Sequence, residues 1–265
     1  MLGHKVWASR VVASMRRFNP SGKYRLRCRQ TMKQTENSIG DHSERFYGQH
    51  ADRYAEVSHE LIQSHYSGSS HLGLETDLDL IVRMKELASP GSRGLDAGCG
   101  AGARDVFDYW RDGYDIIGVD SVTENIDVAK KLHPEISGRI SVADLRHSLE
   151  FPDHAFDFVL CNSVIQHIEP SVVMNITVPE LVRVLSPGGV LQLMFKTGCG
   201  VRTVYDRDFR ANRKFQLYSV EEVLGVLEGL GMEIVPAGEE KLGGVISFLD
   251  TKPMNHCVLY SRKPS

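Results

Sequence analysis

No apolar run in this 265-residue chain approaches the roughly 20 residues that a helix needs to cross a bilayer, so a membrane-spanning role is not expected. Cysteine is scarce. The five residues Cys28, Cys99, Cys161, Cys199 and Cys257 are odd in number and form neither a C-x-x-C pair nor a Cys/His cluster. That spacing argues against a disulfide framework and a structural zinc, so no metal is called for, and it suits a reducing compartment, with the cytoplasm as the expected location. Acidic residues are missing altogether from the first 35 positions, which hold nine Lys or Arg (Lys5, Arg10, Arg16, Arg17, Lys23, Arg25, Arg27, Arg29 and Lys33). The remainder carries 22 of the 31 basic residues against all 34 acidic ones, an acidic body behind a basic leader. An acid-free, Arg-rich leader has the composition of an organelle-targeting presequence or a nucleic-acid-binding arm. The simpler reading is a disordered tail, or an upstream extension with Met32 as the true start. The expected organisation is a basic leader over 1–40, a helical cap over 41–90 and a catalytic core over 91–265.

Residues 43–66 and 75–88 read as helices, the second with Leu78, Ile81, Met84 and Leu87 near helical spacing. Downstream, a helix is predicted from a glycine-rich turn near residue 98 to about Arg111. Another starts at Ser121, where Ser121-x-x-Glu124 has the form of a capping box and Val122, Ile126, Ala129 and Leu132 make an apolar stripe. A further helix spans about 172–186, and the last runs from Ser219, with a capping box to Glu222, to a stop at Gly231. Strands follow at about 232–235 and 256–261. This alternation predicts an α/β protein with a doubly wound, mostly parallel sheet and right-handed crossovers. The composition, 42% hydrophobic and 25% charged, is that of an ordinary globular chain, long enough for one large domain with embellishments.

The most informative segment is Gly94-Leu-Asp-Ala-Gly-Cys-Gly-Ala-Gly102, an apolar entry, one acid and glycines at alternate positions. Glycines permit a tight strand-to-helix turn at positive φ and let bare backbone N–H groups approach a ligand. Taken alone, Gly98-x-Gly100-x-x-Ala103 also fits a dinucleotide fingerprint, with Asp120 at the distance of a ribose-binding acid. The wider register carries more. Asp96, Asp120 and Asp144 each close a predicted strand, and in an open α/β sheet the carboxyl ends of the strands form the ligand crevice.

The ordered series Gly94 to Gly102, Gly118-Val-Asp120, Ala143-Asp144-Leu145, Phe156-Asp-Phe-Val-Leu-Cys-Asn162 and Leu185-Ser-Pro-Gly-Gly189 resembles the class I S-adenosylmethionine (SAM)-dependent methyltransferases. Within them the likeness is to the small-molecule-type methyltransferase domain family. The likeness covers roughly residues 85–200, and dehydrogenases lack the Asp144 and Pro-Gly-Gly blocks in this arrangement. It implies a seven-stranded Rossmann-like sheet whose last strand is antiparallel, and SAM as cofactor. It further implies that the turn Gly98, Cys99, Gly100 and Gly102 packs on the methionine and ribose portion, with Asp96 organising the turn or the amino group. Asp120, with Ser121 beside it, is implied for the ribose hydroxyls, Asp144 and Leu145 for adenine, and Asn162 or Cys161 for the methionine side. Cys99 reads as a small apolar turn residue rather than a reactive thiol.

His167 follows the fourth strand and is the candidate base for an acceptor that must lose a proton, with a packing role as the alternative. Tyr47 and Tyr54 are candidates to close over the sulfonium through their aromatic faces. Residues 196–218 form a basic, aromatic flap whose Arg202, Arg213 and Tyr218 are candidate contacts for an anionic small molecule, and 236–256 is a candidate second mobile element. The expected function is methyl transfer to an oxygen or nitrogen of a small-molecule acceptor. The alternatives are an RNA or protein methyltransferase using the basic leader, and a SAM-binding protein without turnover.

Overall fold

The computed structural model describes residues 38–265 apart from 62–64, 251 and 253. The basic leader, with the expectations placed on it, lies outside the described residues. Three helices precede the sheet: α1 (Ile39–Gln49), α2 (Ala51–Leu61) and α3 (Asp77–Leu87). The last is fixed at its start by a capping box in which the Thr76 hydroxyl and the Asp79 carboxylate satisfy opposite ends of the first turn.

The sheet is built from β1 (Arg93–Ala97), β2 (Asp115–Asp120), β3 (Ile140–Val142), β4 (Phe156–Asn162) and β5 (Leu185–Lys196), all parallel to their neighbours. Across it the order is β3-β2-β1-β4-β5-β10-β8, where β8 is Glu233–Ile234 and β10 is Asn255–Arg262. β10 runs antiparallel to β5 and β8, so the expected seven-stranded path with an antiparallel return is present. Helices α4 (Arg104–Arg111) and α5 (Thr123–Leu132) follow β1 and β2. Beyond β4 the short α6 (Pro170–Val172) passes through a π-helical turn over Val173–Thr177 into α7 (Val178–Val184). Alternating side chains divide the core between the two faces. On β5, Leu191, Leu193 and Phe195 are fully buried in one cluster, while Met194 joins the other.

Three expectations change. The capping box at Ser121 does not form: α5 starts at Thr123 with Val122, not Ser121, as its N-cap residue and no side-chain cap, while Asp120 Oδ1 accepts the Val122 N–H at 2.9 Å and ties the helix entry to the end of β2. The basic flap is an ordered hairpin, β6 (Gly200–Asp206) and β7 (Ala211–Leu217), paired over its whole length. Part of the presumed second mobile element forms β9 (Val245–Leu249) on the edge of β10, because Ile246 and Phe248 alternate into the core between exposed Val245 and Ser247. The expected cap at Ser219 is present, its hydroxyl accepting the Glu222 N–H at 3.3 Å to start α8 (Val220–Gly229).

Candidate active site

β1 neighbours both β2 and β4, so the chain switches direction across the sheet there, and the crevice opens at the carboxyl ends of these strands. The glycine turn lies in it. Gly98 and Gly100 hold φ of +105° and +65°, and a Cβ on them would stand 2.2 Å from Val164 and 2.8 Å from Tyr54. Both the backbone and the neighbours demand glycine. The turn is not a bare anion cradle, however. The amides of Gly98 and Cys99 both donate to Val119 O, and that of Gly100 donates to Asp120 Oδ2 at 3.0 Å. These donors brace the turn against β2 and fix the carboxylate beside it.

Three adjoining cavities line this edge. The first, about 660 Å³, is walled by Gly98, Asp120, Ser121, Asp144, Leu145 and Asn162. The second, about 860 Å³, takes in Asp96, Cys99, Gly102, Arg104 and Gln192. The residues that the sequence assigned to the cofactor lie on one of these two walls, except Gly100, which acts through Asp120, and Cys161, the alternative to Asn162, which is buried in the core. Asp120 accepts from Val122 N and Asn125 Nδ2 (3.1 Å) on one oxygen and from Gly100 N on the other, and burial raises its pKa against the pull of those bonds. Asp144 is clasped by Arg146, whose Nε lies 2.9 Å from each oxygen and whose guanidinium also bonds Glu44. Burial works against ionisation there, but the Arg146 bonds outweigh it and hold the carboxyl below its usual range. The Cys99 thiol is pushed well up by burial and by Asp96, in keeping with a packing role.

The donors of SAM fit what these walls offer. Of the buried polar atoms without a partner among the described residues, two lie on these walls, Asn125 Oδ1 and Gln192 Oε1. The first belongs to the cavity holding Asp120, the second to the cavity holding Asp96. Ribose hydroxyls and an ammonium are the donors such acceptors lack. Asp96 is 5% exposed, and burial followed by the neighbouring Asp105 raises its pKa well above the usual carboxyl value. A cation arriving beside it would restore its charge. Arg104, ion-paired to Asp105 at 2.8 Å and Asp77 at 3.3 Å, is the cation on this wall and was missed in the sequence. Its signal was its place as the first helical residue after the turn.

The third cavity, about 950 Å³, opens between the sheet edge and the hairpin. Tyr54 and Ser163 line all three spaces, and Ser163 does so at a φ of +60°, a conformation that serine rarely adopts. Arg213 reaches in from β7 against four rings, those of Phe46, Tyr47, Phe209 and Phe215, and pairs with buried Asp206 at 3.0 Å. Its guanidinium also donates to the Tyr47 hydroxyl. Tyr47 in turn lies 3.1 Å from His167 Nε2, while His167 Nδ1 lies 3.1 Å from Ser43 Oγ. The arrangement that satisfies all three has Tyr47 donating to Nε2 and Nδ1–H donating to Ser43. Burial, then Arg213 and Lys196, press the His167 pKa well below its usual value, so the ring is neutral and both nitrogens are engaged.

Of the flap residues, Arg213 enters the site. Arg202 is exposed on β6 and lines none of the three cavities. Tyr218 is a core side chain, 2% exposed, its hydroxyl donating to Ile168 O at 2.6 Å. At the far end of the third cavity Lys196, Asp250 and His256 form a buried cluster that the sequence reading also missed.

A methyltransferase-domain family matches residues 95–193. With the parallel sheet and the three strand-end acids, this match over part of the chain supports a class I SAM-dependent methyltransferase with SAM as cofactor. Among characterised relatives it is 27% identical over 162 residues to the 2-methyl-6-phytyl-1,4-hydroquinone methyltransferase of Synechocystis sp., covering 53% of this chain and 49% of that one. It is 32% identical over 106 residues to the mitochondrial ubiquinone biosynthesis O-methyltransferase of Rattus norvegicus, covering 38% and 30%. The chain thus spans half or less of the length of these relatives. Among solved structures, the 1,6-didemethyltoxoflavin-N1-methyltransferase of Burkholderia thailandensis, with bound S-adenosylhomocysteine, superposes with a TM-score of 0.59 at 14% identity, over 88% of this chain and 94% of that one. The [4+2]-cyclase SpnF superposes at 0.60 with 19% identity, over 85% and 96%. At such identities the likeness is one of fold. Among the described residues no helix is long and apolar enough to cross a membrane.

Proposed function

We propose that this chain transfers the methyl group of SAM to an oxygen or nitrogen of a small-molecule acceptor held in the third cavity. The observation that carries the reading is the meeting of three cavities at Tyr54 and Ser163. On this reading adenine lies by Asp144 and Leu145, the ribose by Asp120, Ser121 and Asn125, and the methionine end by Asp96, Asn162, Gln192 and Arg104. The junction is then where a methyl group faces the acceptor, under the rings of Tyr47 and Tyr54, 4.8 Å apart.

Bound SAM supplies a methyl on a positively charged sulfur, an already activated carbon. The protein's task is to hold the acceptor in line, and positioning of that kind contributes roughly 7–11 kcal/mol. His167, on this reading, is a positioning residue: its two hydrogen bonds tie α1 to the loop after β4 and aim Tyr47. The curated relatives carry names of hydroquinone and ubiquinone-pathway enzymes, which supports a ring-bearing acceptor.

The test is calorimetric titration with SAM and separately with NADH, followed by an acceptor screen for S-adenosylhomocysteine production. Micromolar SAM binding with turnover is expected. Binding of NADH with SAM inert overturns the cofactor assignment, and SAM binding without turnover on any acceptor supports a binding protein instead.

A further inference from the structure

We infer that the acceptor is a small aromatic compound bearing an ionisable hydroxyl, and that Lys196 takes the proton of that hydroxyl as the methyl group is transferred. The inference rests on the proposed methyl transfer and extends it to a residue and a substrate class.

The cavity walls favour a flat apolar ring. Phe209, Phe215, Phe248 and Met254 line it at 3–7% exposure, together with Met194 and Val57. Its charged groups favour an oxygen that becomes negative. Lys196, Arg213 and Lys252 are its cations, and each carboxylate on its wall already holds one: Asp250 holds Lys196, Asp206 holds Arg213 and Lys252, and Asp77 holds Arg104. Among the described residues no wall carboxylate is left unpaired to receive an ammonium, whereas an oxygen that becomes negative would face donors on this wall.

Position follows from the strand. Gln192, Met194 and Lys196 alternate onto one face of β5. Gln192 lines the methionine cavity, Met194 lines both that cavity and the acceptor cavity, and Lys196 lines the acceptor cavity alone. Lys196 therefore stands one strand period, about 7 Å along the backbone, beyond Met194, whose carbonyl accepts from the junction residue Ser163 at 2.8 Å.

The bonding of Lys196 fits a base. His256 Nδ1 lies 3.1 Å from the carbonyl of Met254, which can only accept, so Nδ1 carries the proton and Nε2 a bare lone pair. Lys196 Nζ donates to that Nε2 at 2.8 Å and to Asp250 Oδ2 at 3.2 Å. In the neutral amine these two partners engage both N–H bonds, and the remaining tetrahedral position is the lone pair. The groups packed on Nζ are Asp250 and His256 from the β9–β10 side, the Phe215 ring at 4.9 Å and Arg213 from the hairpin, and Lys252. Burial, opposed by Asp250 and assisted by Arg213 and Lys252, brings its pKa down to about 8. His256, lowered to about 4 by burial and by Lys196, stays neutral and acts only as acceptor. In the step, the hydroxyl O–H bond breaks and its proton passes to Nζ. The oxygen forms a bond to the methyl carbon as the carbon–sulfur bond breaks, and the electron pair remains on sulfur. The resulting ammonium returns its proton to water.

The experiment uses 4-nitrophenol, whose phenolate is coloured, with the full chain, Lys196→Met and Lys196→Arg, each checked for folding by melting and for SAM binding by calorimetry. With S-adenosylhomocysteine present, wild type is expected to lower the pH at which the bound probe ionises by about 1–3 units. Lys196→Arg keeps most of that shift and Lys196→Met loses it. In turnover of phenolic acceptors, the wild-type rate should rise with pH through a midpoint near 8. Lys196→Arg should lose roughly 10²- to 10⁴-fold and follow the acceptor's own ionisation, with SAM affinity unchanged. A probe whose colour responds equally in wild type and Lys196→Met, or a pH profile common to wild type and Lys196→Arg, overturns the inference, as does an enzyme that methylates amines while phenols stay inert. Absence of SAM binding in wild type overturns the parent reading instead.

Discussion

Replacing Asp120 with asparagine changes one oxygen to an amide nitrogen and almost nothing of the shape, so its effect can be worked from the hydrogen bonds. Oδ1 accepts from two donors, Val122 N and Asn125 Nδ2, and Oδ2 from one, Gly100 N. The amide will keep its carbonyl toward the pair and turn its NH₂ toward Gly100 N–H, leaving two donors facing each other in a buried turn. An unsatisfied buried donor costs about 1–3 kcal/mol, and in a domain of this size each kcal/mol lowers the melting temperature by about 2–4 °C. One acceptor for the ribose is lost as well, and a hydrogen bond to a charged group is worth about 1.5–3 kcal/mol, or roughly 10- to 150-fold in Kd. The sign with pH follows from burial raising the folded-state pKa of Asp120 above its unfolded value. Apo stability from this group is fully present below the unfolded pKa and declines as pH rises through the folded one. SAM needs the ionised form, so wild-type affinity should fall as pH drops below that raised pKa, and the asparagine variant should not show this fall. Calorimetry across pH and melting curves with and without SAM read both effects. Wild-type-like affinity for Asp120→Asn at neutral pH, within twofold, would refute the assignment of this carboxylate to the ribose.

Arg213→Met should destabilise the chain by about 3 kcal/mol in denaturant titration, the low end for breaking a buried pair, because Lys252 remains on Asp206 at 2.6 Å; acceptor KM should rise with SAM affinity little changed. The Asp206 carboxyl is buried, yet its bonds to Lys252 and Arg213 depress its pKa, so that contribution holds above the unfolded carboxylate pKa and is lost as pH falls through the folded one, visible as acid-induced loosening in hydrogen exchange of the hairpin. Ser163→Gly should stabilise by up to about 1 kcal/mol by relieving the left-handed backbone, whereas Ser163→Val should destabilise; equal melting temperatures for the pair would contradict the strain. Removing residues 1–31 should leave SAM affinity within twofold by calorimetry, since every cofactor-wall residue lies between Gly40 and Met194.

The cofactor half of the site was legible because it is local. Glycines at 98 and 100 and acids at 96, 120 and 144 follow strand ends in order, and strand ends are where an open α/β sheet places ligands. The acceptor half was not, because its partners come from distant parts of the chain. Lys196 and His256 are 60 residues apart and meet through the antiparallel pairing of β5 with β10. In the sequence Lys196 counted only as one of several basic residues in a flap, although the polar alternation of Gln192 and Lys196 in an otherwise apolar strand was a visible sign. Arg202 and Tyr218 shared the composition of Arg213, but Arg202, though paired with Phe215 on the same hairpin face, is exposed outside the cavity, and Tyr218 follows the end of β7 into the core, which composition cannot resolve. The Ser121 cap failed because the helix starts one residue later than the motif implied, with Val122 as its N-cap.

The hairpin of β6 and β7 stands between β5 and α8, and it meets the wall of the first cavity at Tyr47, through Arg213, and at His167, through Phe215. Such an arrangement uncouples two evolutionary pressures. On the proposed reading, the strand ends that hold SAM would stay fixed while the hairpin is exchanged, lengthened or recoloured in charge, so new acceptors would not require a rebuilt methyl donor site. For engineering, the same division marks residues 200–217 as a cassette to graft between relatives, with Tyr54 and Ser163, which line all three cavities, left untouched.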